Sequence, residues 1–317
     1  MKKVLIAGGA GYIGTLLVNN LKKMNYDVTV VDMFWFGNFL PDDVKVIKKN
    51  IIDLSIDEVE GYDSVVYIGG ISNDPMANYS PSMNFIENIS VPVYLPFITK
   101  ESKVKRFIFA SSCSVYGYTK NNAMNELSET NPQYPYGISK LSAENAILNL
   151  MDKDFHPIIL RKGTVGGYSH RMRFDLVVNT MTKTAIKQNK IVVNNPSIWR
   201  PLIDIRDAAN AYILSIEASL DVDGVFNISE NNYTMLELAT EIKQCFQKNG
   251  HSIDLEVKNI SDVRNYKVSN KKAREYLNFY PEYKPIDSVN SIIENMDTSQ
   301  DLNSSQYYNI EMFKELF

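Results

Sequence analysis

Seven residues near the start constrain the fold more than any other part of the chain. Gly8-Gly9-Ala10-Gly11-Tyr12-Ile13-Gly14 places glycines at positions 8, 11 and 14. An apolar run, Val4 to Ala7, precedes them, as expected of a buried parallel strand. After them Ile13, Leu16, Leu17, Leu21 and Met24 recur at helical spacing. Strand, glycine turn and helix in that order open a βαβ unit of the kind that holds a dinucleotide. The glycines permit a tight turn and close approach to a pyrophosphate. Free N–H groups at the helix start then bind its charge. Gly8, Gly11, Tyr12, Ile13 and Gly14 are therefore expected cofactor contacts.

The alternation continues. Val28 to Val31, Val44 to Ile47, Val65 to Ile68, Phe107 to Phe109 and Ile158 to Leu160 read as further strands. Helices are expected between Met83 and Lys100, kinked or interrupted by Pro92 and Pro96, and from Tyr136 to about Leu150. This predicts an α/β chain with a Rossmann-type doubly wound parallel sheet. The second half is less regular. Helices at 176–187, 208–219, 235–247 and 286–296 and short strands at 191–193, 225–228 and 255–257 suggest a smaller α/β substrate-binding domain. The expected division is 1–165 and 166–317, interleaved, with part of 195–230 returning to the first domain. Asp297 to Ser305 reads as a polar linker and Tyr307 to Phe317 as a short amphipathic helix that packs on this subunit or a neighbour.

Composition excludes several classes. With 44% hydrophobic and 22% charged residues the chain is an ordinary globular protein. A net charge of −4 gives no electrostatic reason to expect nucleic acid or a membrane surface as partner. No apolar run approaches the roughly 18 residues of a membrane span. The glycines break the apolar start, so a secretory signal is not expected. Two cysteines, Cys113 and Cys245, make no disulfide framework and suit a reducing cytoplasm. Three scattered histidines make no metal cluster, and no metal is expected.

Asp32 ends the second strand, 18 residues beyond Gly14. A carboxylate there accepts from the adenosine ribose hydroxyls and repels a 2′-phosphate, which favours NAD over NADP. Asp53 in Asn50-Ile51-Ile52-Asp53-Leu54, with Leu54 beside it, is expected at the adenine. The fifth strand runs into Ser111-Ser112-Cys113-Ser114, small polar residues at the crevice end of a parallel strand. Tyr136 and Lys140 lie four apart on a helix and share a face. The lysine ammonium, with oxidised nicotinamide, would lower the tyrosine pKa so that phenolate accepts a proton as hydride leaves the same carbon. Two other Tyr-x-x-x-Lys spacings occur. Tyr116 to Lys120 falls in a Gly/Thr/Asn loop, and Tyr280 to Lys284 carries Pro281 and Pro285, which oppose a helix.

Taken together, Gly8-x-x-Gly11-x-x-Gly14, Asp32, Ser112 and Tyr136-x-x-x-Lys140 closely resemble the extended short-chain dehydrogenase/reductases of the nucleotide-sugar epimerase/dehydratase branch. The resemblance reaches to about Asn278. It implies NAD in the first domain, a nucleoside-diphosphate sugar in the second, and a homodimer built on helices that include the one starting at Tyr136. It also implies that Ser112 orients substrate, Tyr136 is the base and Lys140 its electrostatic partner, with Tyr136 and Lys140 also touching the cofactor. Ile68-Gly69-Gly70 matches the loop that passes the cofactor, and Asn88 an asparagine near it. Arg200 and Arg264 match arginines that reach the diphosphate. Ser114 and Thr164 complete the substrate set.

The same comparison sorts the reactions. Similar 4,6-dehydratases place Asp-Glu where this chain has Cys113-Ser114, and related decarboxylases place Glu at Ser114. GDP-mannose 3,5-epimerases place cysteine at the position of Ser114, and Cys113 is one residue off that register. Hydride transfer at C4 remains, as a 4-epimerase first, or as a 4-dehydrogenase or 4-ketoreductase. Thr164 replaces an asparagine, and Gly166 replaces a bulky tyrosine, an exchange that would leave more room near the sugar. Arg171-Met172-Arg173-Phe174-Asp175 resembles a subgroup that includes GDP-heptose 4-dehydrogenases. Arg171 and Arg173 fit either support of the nucleotide site or a solvated face. A dinucleotide-binding sensor or scaffold is the non-enzymatic alternative; such proteins are expected to lose the Tyr/Lys pair.

Overall fold

The computed structural model describes residues 1–119, 122–259 and 265–317. Its first strands are β1 (Lys3–Ala7), β2 (Asp27–Asp32), β3 (Lys45–Lys48), β4 (Ser64–Tyr67), β5 (Arg106–Ser112), β6 (Ala123–Met124) and β7 (His156–Lys162). There follow β8 (Thr164–Gly166), β9 (Lys190–Asn194), β10 (Trp199–Asp204), β11 (Gly224–Ile228), β12 (Asn231–Thr234), β13 (Asp254–Lys258) and β14 (Lys267–Val268). The helices are α1 (Tyr12–Lys23), α2 (Ile56–Val59), α3 (Asp74–Tyr79), α4 (Pro81–Phe85), α5 (Val91–Glu101) and α6 (Pro135–Asn149). Then come α7 (Val177–Gln188), α8 (Ile205–Glu217), α9 (Met235–Lys248), α10 (Lys271–Leu277), α11 (Pro285–Asn295) and α12 (Asn309–Leu316).

Seven strands form one parallel sheet in the order β11-β7-β5-β4-β1-β2-β3. Alternate side chains of one strand serve opposite layers, as the two-residue period requires. Val4 and Ile6 join Leu17, Leu21, Ile158 and Tyr212 on the α1/α8 face. Leu5 joins Val65, Phe107, Leu95 and Ile147 on the α5/α6 face. The chain leaves β1 towards β3, then returns to β4 on the other side of β1. Open α/β sheets bind ligands at such a switch point, beyond the carboxyl ends of the strands.

Beyond β7 the chain builds a second core. A three-stranded sheet, β12-β10-β8, and the pair β13-β9 pack with α7, α9 and α11 around Val178, Ile191, Ile198, Leu238, Ile242 and Val289. In between, α8 packs on α1 and β11 pairs with β7, so 205–228 lies on the large sheet.

The helix expected between Met83 and Lys100 is continuous but changes gauge. A π turn, Ile86–Ser90, joins α4 to α5. Pro92 directly follows the π turn and has no amide to donate, and the Glu87 carbonyl five residues before it accepts from the Tyr67 hydroxyl instead, while Pro96 sits inside α5. The wider turn sets Glu87 and Asn88 inward, both buried.

Candidate active site

A cleft of about 670 Å³ opens over the carboxyl ends of β1, β4 and β5 and runs to Ile198 and Met235 in the second core. Gly8, Gly11, Tyr12, Ile13, Gly14, Asp32, Ile68, Gly69 and Gly70 all line it. Gly8 has φ +84°, and a Cβ there would lie 2.3 Å from the Gly69 backbone, so the two loops touch. Above Gly11 the space is open: a Cβ would meet only the Gly8 carbonyl oxygen, at 3.6 Å. No side chain caps α1, and its first turn holds no acid. Its amide donors and the bare glycine surface thus suit a diphosphate. The Asp32 carboxylate accepts from the amides of Ala10 at 2.9 Å and Phe34 at 2.8 Å. Burial pushes its pKa up, against these hydrogen bonds and the nearby Arg171 charge.

Three expected cofactor contacts do not line the cleft. Asp53 is exposed, closing the 3₁₀ turn Ile51–Asp53, and Leu54 is packed in the core. Asn50 and Ile51 line the cleft in their place. The turn that reverses the chain after β3 carries its first residues, not its last, to the crevice. Asn88 is fully buried behind the wall: its Nδ2 donates to the Ile71 carbonyl at 2.9 Å and to Asn84 Oδ1 at 2.8 Å. It therefore holds the 69–71 loop, and its neighbour Glu87 lines the cleft.

At the centre β5 delivers Ser112 and the N-terminus of α6 delivers Tyr136 and Lys140; all three line the cleft with Ser114. Ser112 Oγ accepts from the Ser114 amide at 3.2 Å and from Ser114 Oγ at 2.9 Å. Burial pushes the Tyr136 phenol well above its ordinary pKa and Asp74 adds to this; a hydrogen bond with Ser112 and the Arg173 charge pull it down. Lys140 Nζ lies 5.8 Å from the Tyr136 ring centroid. Burial brings its pKa down to about 7, partly offset by Glu144. In the protein alone, then, burial outweighs the expected depression of the tyrosine. Cys113 faces away, fully buried, its Sγ donating to the Arg161 carbonyl at 3.1 Å. Of the other Tyr/Lys spacings, Tyr116 is buried in a 3₁₀ turn with its hydroxyl on Asn227, and Lys120 lies outside the described residues. Tyr280 is exposed, beyond any helix.

Lys162, at the end of β7, also lines the cleft and was not anticipated from the sequence. Its Nζ donates to the Tyr212 hydroxyl at 2.8 Å. Burial, then the Lys140 charge, lowers its pKa to about 7. Asn73 was missed as well. Its Nδ2 donates to Asp175 Oδ2 at 2.9 Å, while Arg173 holds the same carboxylate bidentately at 2.8 and 2.9 Å. The Arg-x-Arg-x-Asp spacing was the available signal. Arg171 and Arg173 are both buried, which removes the solvated-face alternative.

Thr164 and Arg200 line the wing nearer the second core. Arg200 Nη1 donates to the Trp199 carbonyl at 3.0 Å, with the guanidinium 5.5 Å from the Tyr266 ring centroid. Arg264 lies outside the described residues. Gly166 makes no room for a sugar: a Cβ there would fall 2.9 Å from Val178 Cβ, in the packing against α7. Among the described residues no cluster of His, Cys, Asp and Glu could hold a metal, and no helix is long and apolar enough to cross a membrane.

Residues 4–229 match the NAD dependent epimerase/dehydratase family. The chain belongs to this family. As a family member it is an enzyme, and NAD is its cofactor. Among curated relatives, a UDP-glucose 4-epimerase of Corynebacterium glutamicum is 25% identical, spanning 90% of this chain and 93% of its own length. Among solved structures, a UDP-glucose 4-epimerase from Thermotoga maritima with UDP-glucose superposes with a TM-score of 0.82 at 22% identity, covering 93% of this chain and all (100%) of its own. TunA, an NAD-dependent NDP-hexosamine 5,6-dehydratase of tunicamycin biosynthesis, gives a TM-score of 0.83 at 18% identity, covering 96% of this chain and 100% of its own. These structures share the fold.

Proposed function

We propose that this family member is a nucleoside-diphosphate-sugar 4-epimerase. One observation carries the reading: Ser112, Tyr136 and Lys140 meet midway along the cleft, between the glycine turn and the wing that holds Arg200. Bound NAD supplies the hydride acceptor. Ser112 holds the sugar oxygen, and Tyr136 takes the hydroxyl proton as the carbon is oxidised. Lys140, as ammonium, stabilises the phenolate, whose charge is costly in a buried site. Tyr136 returns the proton after the ketone has presented its other face. Gly8 to Gly14, Asp32 and Ile68 to Gly70 hold the dinucleotide; Thr164 and Arg200 hold the nucleotide sugar.

The neighbours of Ser112 argue against dehydration. Elimination needs an acid and a base beside the sugar. Cys113 is turned away, its thiol pKa pushed up by burial. Ser114 is a hydroxyl bonded to Ser112. The test is proton NMR of UDP, GDP, dTDP and CDP hexoses and heptoses incubated with protein and NAD. An equal-mass C4 isomer supports the epimerase. A 4-keto product with stoichiometric NADH replaces it with the dehydrogenase, the reading favoured by Thr164 and the Arg171-to-Asp175 segment.

The enzyme is further proposed to be a cytoplasmic homodimer. Both cysteines are free thiols. Phe85, Ile86, Phe97 and Ile138 stand exposed along α4 to α6, the apolar area such a dimer would cover. Light scattering gives the mass directly.

A further inference from the structure

Arg171 is the least expected side chain in the cleft. Only 2% of it is exposed, and its guanidinium lies 3.9 Å from the centroid of the Phe36 ring. One nitrogen, Nη2, donates to Asn309 Oδ1 at 2.5 Å. Nε and Nη1 have no hydrogen-bond partner among the described residues. Asp175 and Asp32 are near enough to act on its charge, but neither is hydrogen-bonded to it: Asp175 is taken by the fork of Arg173, and Asp32 by two backbone amides. A buried guanidinium with two idle donors is costly unless an anion completes it. Arg171, Phe36 and Asn309 all line the cleft, so the anion is a ligand that enters there.

Its position says which ligand. The segment that carries Arg171 is bound to the glycine turn: Ser169 Oγ donates to the Tyr12 carbonyl at 2.8 Å, and the Tyr12 hydroxyl donates to the Gly167 carbonyl at 2.5 Å. Phe36 follows Asp32 on the next loop. Arg200, by contrast, stands at the other wing, beside Tyr266.

We propose that Arg171 binds the pyrophosphate of the dinucleotide, and that Asn309 makes the C-terminal helix part of the cofactor site. The inference rests on NAD occupying this cleft. Asn309 opens α12 and also donates from Nδ2 to Ser72 Oγ at 2.7 Å, which fixes its amide. Phe313 and Phe317 pack on Trp35 with ring centroids 6.0 and 5.2 Å away, and Tyr79 meets Phe313 at 6.1 Å. The tail is tied down behind by the Phe174 amide on the Tyr307 carbonyl at 2.9 Å, and by Lys183 on Tyr308 and Asn303. It thus seats on the loop after Asp32, although it lies beyond the residues 4–229 that carry the family match.

The test is calorimetric titration of the full chain, stripped of cofactor, with NAD, ADP-ribose, adenosine and UDP. For Arg171→Met, Kd for NAD and ADP-ribose is expected to rise about ten- to a hundredfold, the worth of a charge-assisted pair. Adenosine, which lacks the diphosphate, and UDP are expected to bind as to wild type. Asn309→Ala leaves the guanidinium in place and is expected to weaken ADP-ribose less, with UDP unmoved; it carries the test where Arg171→Met fails to fold. Unchanged ADP-ribose affinity in both variants overturns the proposal, and so does a loss confined to UDP, which assigns Arg171 to the nucleotide sugar. A wild type that binds neither NAD nor ADP-ribose refutes the cofactor reading itself.

Discussion

Glu144→Gln tests how the site is supported from behind. Glu144 and Arg161 form a buried pair under the strand that carries Ser112, with side chains 1% and 6% exposed. Arg161 Nε reaches both carboxylate oxygens at 3.1 Å and Nη2 reaches Oε2 at 2.6 Å, while Ser111 Oγ donates to Oε1. The amide keeps the shape but leaves the guanidinium charge unbalanced inside. Breaking one side of such a pair costs about 3–5 kcal/mol. In urea, with a slope near 3 kcal/mol per molar, that moves the midpoint down by about 1–2 M. Glu144 is also one helical turn from Lys140 and is the charge that holds the lysine pKa up against burial, at about 7. Removing it lowers that pKa, so the ammonium is lost at lower pH. The alkaline limb of the kcat profile is therefore expected to shift to lower pH, an effect that destabilisation alone does not produce. A midpoint change worth less than about 1 kcal/mol would refute the buried-pair estimate. An unmoved limb would refute the link to Lys140.

Three further outcomes follow from the same geometry. Tyr136→Phe removes the phenol that Ser112 bonds and is expected to lower kcat by about 10²–10⁴ with melting unchanged; full turnover by steady-state assay would overthrow the mechanism. Gly8→Ala sets a Cβ 2.3 Å from the Gly69 backbone at a φ of +84° and is expected to lower the melting temperature and weaken NAD binding, read by thermal shift and titration. Lys140 and Lys162 have folded pKa values near 7, against 10.5 ordinarily. Above pH 7 the unfolded chain therefore holds more protons, and stability rises with pH by about 1–3 kcal/mol per unit. Cys113, raised from its ordinary 9.0, opposes this at higher pH, so pH 7 to 8.5 is the window for denaturation curves. Lys162→Met should flatten the rise, and a flat wild-type curve would sink the assignment.

Much of this molecule was legible because its signals are local. Val4 to Ala7 and Phe107 to Phe109 are apolar runs flanked by breaks, and parallel strands buried on both faces need such runs. The Tyr136–Lys140 pair could be chosen among three spacings because only that one opens a long helix after the serine strand. The readings that failed depended on what the chain meets in space. Asn50 caps the 3₁₀ turn that Asp53 closes, and only the turn's direction decides which faces the cleft. Gly166 suggested space, but Val178 fills it from a helix twelve residues on. The C-terminal segment reads as a packing helix and does pack, through Phe313 and Phe317 on Trp35, but nothing local links Asn309 to Arg171, 138 positions away.

The trio of Ser112, Tyr136 and Lys140 serves an epimerase and a dehydrogenase equally, so the distinction lies in how the cofactor is held. An epimerase has to retain the reduced cofactor while the ketone turns over, because the same hydride must go back. A dehydrogenase has to release it every cycle. Retention requires buried contacts, and with the pyrophosphate at Arg171 as proposed the C-terminal segment would supply them. Phe313 and Phe317 press on Trp35, and Asn309 joins Arg171 to Ser72 in the cleft wall. Release through that side would require these rings and this hydrogen-bonded bridge to part together. A cofactor held this way is expected to leave slowly, and slow departure is what return of the hydride to the opposite face demands. The tail therefore weighs towards the epimerase, on grounds independent of the catalytic residues. The off-rate of NADH, measured by fluorescence in wild type and Asn309→Ala, decides the point: release in wild type faster than turnover would remove this support.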